Sequence, residues 1–189
     1  MCGIFGFIGK KPNLHLLEEI AGLASTRGVH GWGIAGEKRF VKGKGKLEDH
    51  LHVLYDFGEE PFIIGHCRLA TFGNYNGVVQ PLRSERHTFA HNGNVYNYQY
   101  LANYIHYTMK TDCDSEVIGA LLDVGYSLRK VSQLLNQPYA ILATTKKGMS
   151  AIRKGLPLFV SEREEGTYFC SRAFDRSEPL KEGKEYSYS

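Results

Sequence analysis

The sequence predicts an α+β fold, with strands opening and closing the chain and helices grouped in its middle. Three observations carry this. CGIFGFIG at the start alternates small and apolar residues and stops on glycine, the mark of a buried strand. Between residues 95 and 137, apolar residues recur at helical spacing in consecutive stretches separated by turn residues. From residue 139 onward, short β-rich segments follow one another to the end. A doubly wound βαβ protein would interleave strands and helices instead of sorting them.

Each element has its own warrant. Pro12 suits the first turn of a helix, and LHLLEEIAGLAS continues it to about Thr26. Residues 30–46 read as a two-stranded hairpin whose turn is the run VKGKGK at 41–46, its lysines in solvent. That run is not read as a phosphate loop, because no helix start with Lys-Ser/Thr follows it. LEDHLHVLYDF is a short amphipathic helix, and PFIIGHCRLAT is a strand with an almost continuous apolar run. A Gly/Asn-rich loop covers 73–85, and RHTFAHNG is a strand running into a turn. Helices are expected over 95–107, from an N-cap candidate at Asp114 to Gly125, and after a Ser127 cap. Strands are then expected at YAILATTK, MSAIRK, PLFVSE and TYFCSR, and near EYSYS.

The chain has 189 residues, 42% hydrophobic and 23% charged, which suits one domain spanning 1–189 with a full core. A net charge of +3 is too weak to argue for nucleic acid. No apolar run reaches the length of a membrane span, and no secretory leader is read at the start. Cys2, Cys67, Cys113 and Cys170 form no CxxC and are too scattered for a zinc site. Neither a metal nor an organic cofactor is expected. Cys67, Cys113 and Cys170 read as reduced, mostly buried thiols of a cytoplasmic protein.

Cys2 needs a separate account. A free thiol titrates near 8.5 and reacts as the thiolate, so it needs a base. Loss of Met1 would leave Cys2 with an α-amine titrating near 7.7–8.0, close to working pH. Amine and thiol on one residue can exchange a proton through a water, the logic already known for N-terminal threonine. A buried strand would hold such a nucleophile rigidly. The competing reading makes Cys2 a small apolar residue that opens a strand.

Further stretches bear on that choice. CGIFGF, TRGVHGWGI at 26–34, GHCRLATFG at 65–73, HNGNVYNY at 91–98 and DSEVI at 114–118 together resemble the class II glutamine amidotransferase domain. This is the N-terminal-nucleophile glutaminase of proteins such as asparagine synthetase and glucosamine-6-phosphate synthase. The motifs fall in the family's order, and RKGLPLFV…GTYFCSRAF at 153–174 resembles the end of that domain. The resemblance implies a four-layer αββα sandwich of two mainly antiparallel sheets. It also implies hydrolysis of the side-chain amide of L-glutamine through a γ-glutamyl thioester on Cys2.

Chemistry and resemblance then assign residues. A guanidinium can grip a carboxylate with two parallel hydrogen bonds, and Arg68 matches the family arginine that does so. The alternative for Arg68 is a surface ion pair. Asp114 matches the family aspartate that takes the α-ammonium. It reads equally as a helix N-cap, with Asp112 as the fallback carboxylate. Asn92 and the Gly93 N–H resemble the family's oxyanion hole, although HNGN is also a strong turn signal. Arg27 and Gly28 match a supporting Arg-Gly pair, and Thr71 matches a position in the substrate wall. Trp32 reads as core. His91 keeps open a Cys–His mechanism that needs no free amine.

Leu69 and Phe72 stand where the sugar and purine branches carry Trp and His, while RLA, QPL at 80–82 and GNVYNYQYL are closer to the asparagine synthetase branch. No ATP-binding loop is recognisable, so the chain reads either as a domain excised from a longer amidotransferase or as a free-standing subunit, and the expected partner is a synthase, taken as a separate protein, that accepts ammonia. The alternatives are an independent amidohydrolase of another γ-glutamyl compound and a silent module that binds glutamine or a partner.

Overall fold

In the computed structural model, residues 1–70 and 77–189 are described. Twelve strands are β1 Gly3–Gly9, β2 Gly31–Ala35, β3 Phe40–Lys44, β4 Phe62–Arg68, β5 Leu82–Arg83, β6 Thr88–Gly93, β7 Tyr139–Thr145, β8 Gly148–Lys154, β9 Phe159–Glu162, β10 Gly166–Cys170, β11 Glu178–Pro179 and β12 Tyr186–Tyr188. Four helices are α1 Leu14–Ser25, α2 Tyr98–Tyr104, α3 Glu116–Asp123 and α4 Leu128–Leu134, with a 3₁₀ segment at Leu47–Phe57. The strands form a seven-stranded sheet, ordered β11-β9-β10-β1-β4-β2-β3, and a five-stranded sheet, ordered β12-β8-β7-β6-β5. The ladders in both are antiparallel.

Pleat alternation sorts the apolar side chains into three buried layers. Phe5 and Phe7 of β1, with Ile63 and Cys67 of β4, face α1 and the 3₁₀ segment. Ile4, Ile8 and Ile64 face the other way and meet Ala90, Ala140, Leu142 and Met149 of the five-stranded sheet. Phe89 and Ile141 face α2, α3 and α4. The layers are therefore helix, sheet, sheet, helices, which is the sandwich that the resemblance implies.

Helix α1 buries Leu17, Ile20, Ala21 and Ala24 along one stripe. Asn13 caps it by accepting the Leu16 N–H at 3.2 Å, so Pro12 lies just outside the helix and not in its first turn. Helix α4 starts as expected, with Ser127 accepting the Lys130 N–H at 3.1 Å. Helix α2 is shorter than 95–107. The Val95 N–H is drawn away to a side chain, and His106 adopts a left-handed φ of 54° that ends helical continuation.

The lysine run is not the turn of its hairpin. Gly36 N–H donates to the Arg39 carbonyl, so the chain reverses at 36–39, and the lysine-rich segment is largely the edge strand β3. Register explains this: Trp32 pairs with Gly43, and its indole lies over that glycine, where no side chain could fit. Exposed lysines on an edge strand also discourage pairing with other chains.

Candidate active site

Cys2 immediately precedes β1, a central strand of its sheet with β10 on one side and β4 on the other. Just behind it, the Ile4 N–H donates to Ser171 Oγ at 2.8 Å, and Ser171 N–H donates to the Ile4 carbonyl at 2.9 Å. Arg27 Nε donates to the Cys2 carbonyl at 3.1 Å. A side chain at Gly28 would collide with the Cys67 carbonyl, 2.2 Å from an ideal Cβ. Arg27 and Gly28 thus brace the start of β1 and the end of β4.

The Cys2 thiol is half-buried. The Leu69 N–H donates to Sγ at 3.4 Å, and Sγ lies 3.9 Å from the Leu69 carbonyl. Burial pushes the thiol above its ordinary pKa, while the Leu69 N–H, the amino terminus, Arg68 and Arg27 pull it back. The balance leaves a thiol that needs a base at neutral pH.

A cavity of about 240 Å³ opens beside it, lined by Cys2, Arg68, Gly93 and Asp114 and also by His66 and His91. Arg68 is the last residue of β4 and is half-buried. Asn92 lies behind the cavity wall, 1% exposed, and its Nδ2 has no hydrogen-bond partner among the described residues. It pairs in register with Ala140, whose side chain belongs to the layer between the sheets, so the pleat turns the Asn92 amide toward β1. Gly93 has φ +145°, and a side chain there would meet the Pro138 carbonyl and the His91 ring. Thr71 lies outside the described residues.

Asp114 is not a helix cap. The residue before α3 is Ser115, which makes no capping bond, and the Val95 N–H donates to Asp114 Oδ2 at 2.6 Å. Ser115 Oγ donates to Asp114 Oδ1 at 3.1 Å and lies 2.9 Å from His91 Nδ1. Gln80 Nε2 donates to the His91 carbonyl at 3.1 Å and to Ser115 Oγ at 3.3 Å, and Gln80 Oε1 accepts the His91 N–H at 2.7 Å. Because the Ser115 proton goes to Asp114, His91 Nδ1 carries the donor hydrogen and Nε2 is a bare acceptor. Burial holds His91 at about pKa 4, against an upward pull from Asp114. The bonds of Cys2 Sγ go to the Leu69 backbone and none is formed with His91, so a Cys–His pair has no hydrogen bond to work through.

His66 went unassigned in the sequence. It is fully buried, lines the cavity, and leaves both ring nitrogens without partners among the described residues. Burial, aided by His91, Arg68 and Lys42, lowers it to about pKa 3, so it is neutral. The available signal was its spacing: two residues before Arg68 on a strand puts both on one face. Gln80 and Ser115 likewise take places that sequence reasoning did not assign. Among the described residues, no cluster of three metal-ligating side chains is found and no helix is long and apolar enough to cross a membrane. All four cysteines are free thiols; Cys113, expected to be buried, is only partly so and lines the cavity.

Two antiparallel sheets stacked between helices, with a cysteine leading a central strand into a polar cavity, form an amidotransferase architecture of the N-terminal-nucleophile type. Solved structures match it. The glutamine phosphoribosylpyrophosphate amidotransferase of B. subtilis, complexed with ADP and GMP, superposes with TM-score 0.71 and 26% identity over 95% of this chain and 44% of that one. A structure described as the allosteric regulatory enzyme of purine biosynthesis gives TM-score 0.67 and 26% identity over 90% and 42%. The family model "Glutamine amidotransferase domain" matches residues 54–174. Among curated relatives, the isomerizing glutamine–fructose-6-phosphate aminotransferase of Clostridium acetobutylicum is 30% identical over 90% of this chain and 31% of its own length. Its counterpart in Listeria monocytogenes is 30% identical over 98% and 34%. The chain belongs to the class II glutamine amidotransferase family. It spans about a third of the length of these curated relatives.

Proposed function

We propose that residues 1–189 form one glutaminase domain that hydrolyses the side-chain amide of L-glutamine and supplies the ammonia to a synthase site. The observation that carries this reading is the meeting of Cys2, Arg68, Gly93 and Asp114 at one cavity, with the unpaired Asn92 Nδ2 buried behind its wall.

With Met1 removed, the Cys2 amine accepts the thiol proton through a water, and the thiolate attacks the amide carbon. Arg68 holds the α-carboxylate of glutamine. Asp114 holds its α-ammonium; each of its oxygens accepts one protein hydrogen bond and keeps a further acceptor position. Asn92 Nδ2 and the Gly93 N–H receive the oxyanion, and the desolvation cost of the orphaned donor is recovered as charge develops. The protonated amine gives its proton to the leaving nitrogen, and ammonia departs. Water activated by the same amine then hydrolyses the γ-glutamyl thioester to glutamate. The direction of the Cys2 shift fits this route, because a thiol raised by burial gains most from a base on its own residue.

The test compares protein starting at Cys2 with protein that retains Met1. Glutamine hydrolysis should fall about 100-fold or more when Met1 stays, the scale of a lost general base. A glutamine-like diazoketone should label Cys2 Sγ only, as read by peptide mass spectrometry. Equal turnover with Met1 attached would refute the amine mechanism, and labelling at any other residue would remove Cys2 from the chemistry.

A further inference from the structure

Glu116 stands outside the cavity that holds Cys2. It lines a second hollow of about 420 Å³, together with Tyr107, Lys110 and Thr111. The segment between the two hollows is 112–115, whose four residues all line the Cys2 cavity.

The Glu116 carboxylate is fully engaged. Oε1 accepts from the Tyr107 hydroxyl at 2.8 Å and from the Lys110 N–H at 2.7 Å. Oε2 accepts from the Thr111 N–H at 2.7 Å and from Thr111 Oγ1. A carboxylate has about four acceptor positions, so none is left for a ligand. Thr111 Oγ1 in turn accepts the Cys113 N–H at 3.2 Å, and the Glu116 N–H donates to the Cys113 carbonyl at 3.0 Å. Residues 111–116 thereby close on themselves, with Asp114 at the bend. The approach to this ring is irregular: α2 ends at Tyr104, and His106 breaks the helical path. The carboxylate is held below its ordinary pKa by the Thr111, Lys110 and Tyr107 hydrogen bonds, which outweigh the upward push of burial.

We infer that Glu116 is a positioning residue: by clamping Tyr107, Lys110 and Thr111 it fixes the ring that presents Asp114 to the α-ammonium of glutamine. The inference rests on the proposed role of Asp114. Glu116 touches no substrate, so its loss should be felt in binding more than in turnover.

The test uses Glu116→Gln, which has a similar shape but replaces two acceptor positions with an amide NH2 facing N–H donors. KM for glutamine should rise about tenfold, the effect of one or two charge-assisted hydrogen bonds, with kcat within about threefold. 4-Carbamoylbutanoate, which lacks the α-ammonium, should be turned over by variant and parent alike. In an Asp114→Asn background the same change should add less than about twofold, because the two residues act as a unit. Thr111→Val, which removes only the hydroxyl, should move KM the same way by about threefold and serves if Glu116→Gln does not fold. Amide hydrogen exchange at Lys110 and Thr111 reads the clamp without any activity and should accelerate in both variants. An unchanged KM, an equal loss with both substrates, or additivity with Asp114→Asn overturns the inference. Should the parent not hydrolyse glutamine, the proposed function falls, and exchange alone then decides the clamp: acceleration sustains it, parental rates sink it.

Discussion

The two walls of the Cys2 cavity are built by different means. The wall on the seven-stranded sheet is held by main chain: β1 is flanked by β4 and β10, and Cys2 is bracketed by the Leu69 backbone and Arg27. The facing wall is held by side chains, through the linked bonds of Gln80, His91, Ser115, Asp114 and Val95. A ladder fixes one atom in one place, which suits a nucleophile. A side-chain network lets several groups be aimed at a polar ligand, and it is costly if any member is lost. The difference predicts that damage to the first wall and to the proposed oxyanion donors lowers turnover, whereas damage to the second lowers affinity and stability.

The largest expected effect concerns Asn92. Asn92→Ala removes the proposed oxyanion donor, and kcat for glutamine should fall about 100–1000-fold with KM little changed. A loss confined to KM would place Asn92 with the recognition wall and erase the contrast.

Next in size is a pair of substitutions on opposite walls. His91→Leu strips Ser115 Oγ of a partner and should destabilise the fold by about 1–3 kcal/mol. His66→Leu removes a ring whose nitrogens have no partners among the described residues, so it should be neutral or mildly stabilising. Urea unfolding of both variants checks this, and equal losses would mean that the two walls are not distinct.

The smallest effect per unit change is in pH. Both histidines are neutral in the fold, near 3 for His66 and about 4 for His91, against an ordinary 6.5. Above pH 6.5 neither form takes up a proton, and stability is flat on their account. As pH falls below 6.5 the unfolded chain protonates first, so stability is lost by up to about 1.4 kcal/mol per pH unit for each ring until its folded value is reached. Unfolding midpoints from pH 7 to pH 5 should fall, and the slope should be shallower in His66→Leu. A slope identical to the parent's would show that His66 is not the buried neutral group described.

Much of this was legible beforehand. Alternation in CGIFGFIG and the 3–4 spacing of α1 depend only on neighbours along the chain, and both elements formed, the helix starting just past Pro12. The misread features depend on neighbours across space. VKGKGK looks like a turn until Trp32 claims the room above Gly43. Asp114 looks like a cap until the Val95 N–H, nineteen residues away, takes its oxygen. His66 and Glu116 sat inside recognisable motifs, but their parts follow from a cavity wall and from a loop folded back on a helix.

The amino-acid sequence alone determined the order of elements, which side chains are apolar on which face, and the identity of the groups able to do chemistry, because these follow from local periodicity and functional-group character. Only the tertiary structure decided that the walls differ, that two imidazoles are buried without charge, and that one carboxylate is taken up by the loop that precedes its helix. Those facts depend on distances between residues far apart in the chain, and on water removed from between them, which no local pattern records.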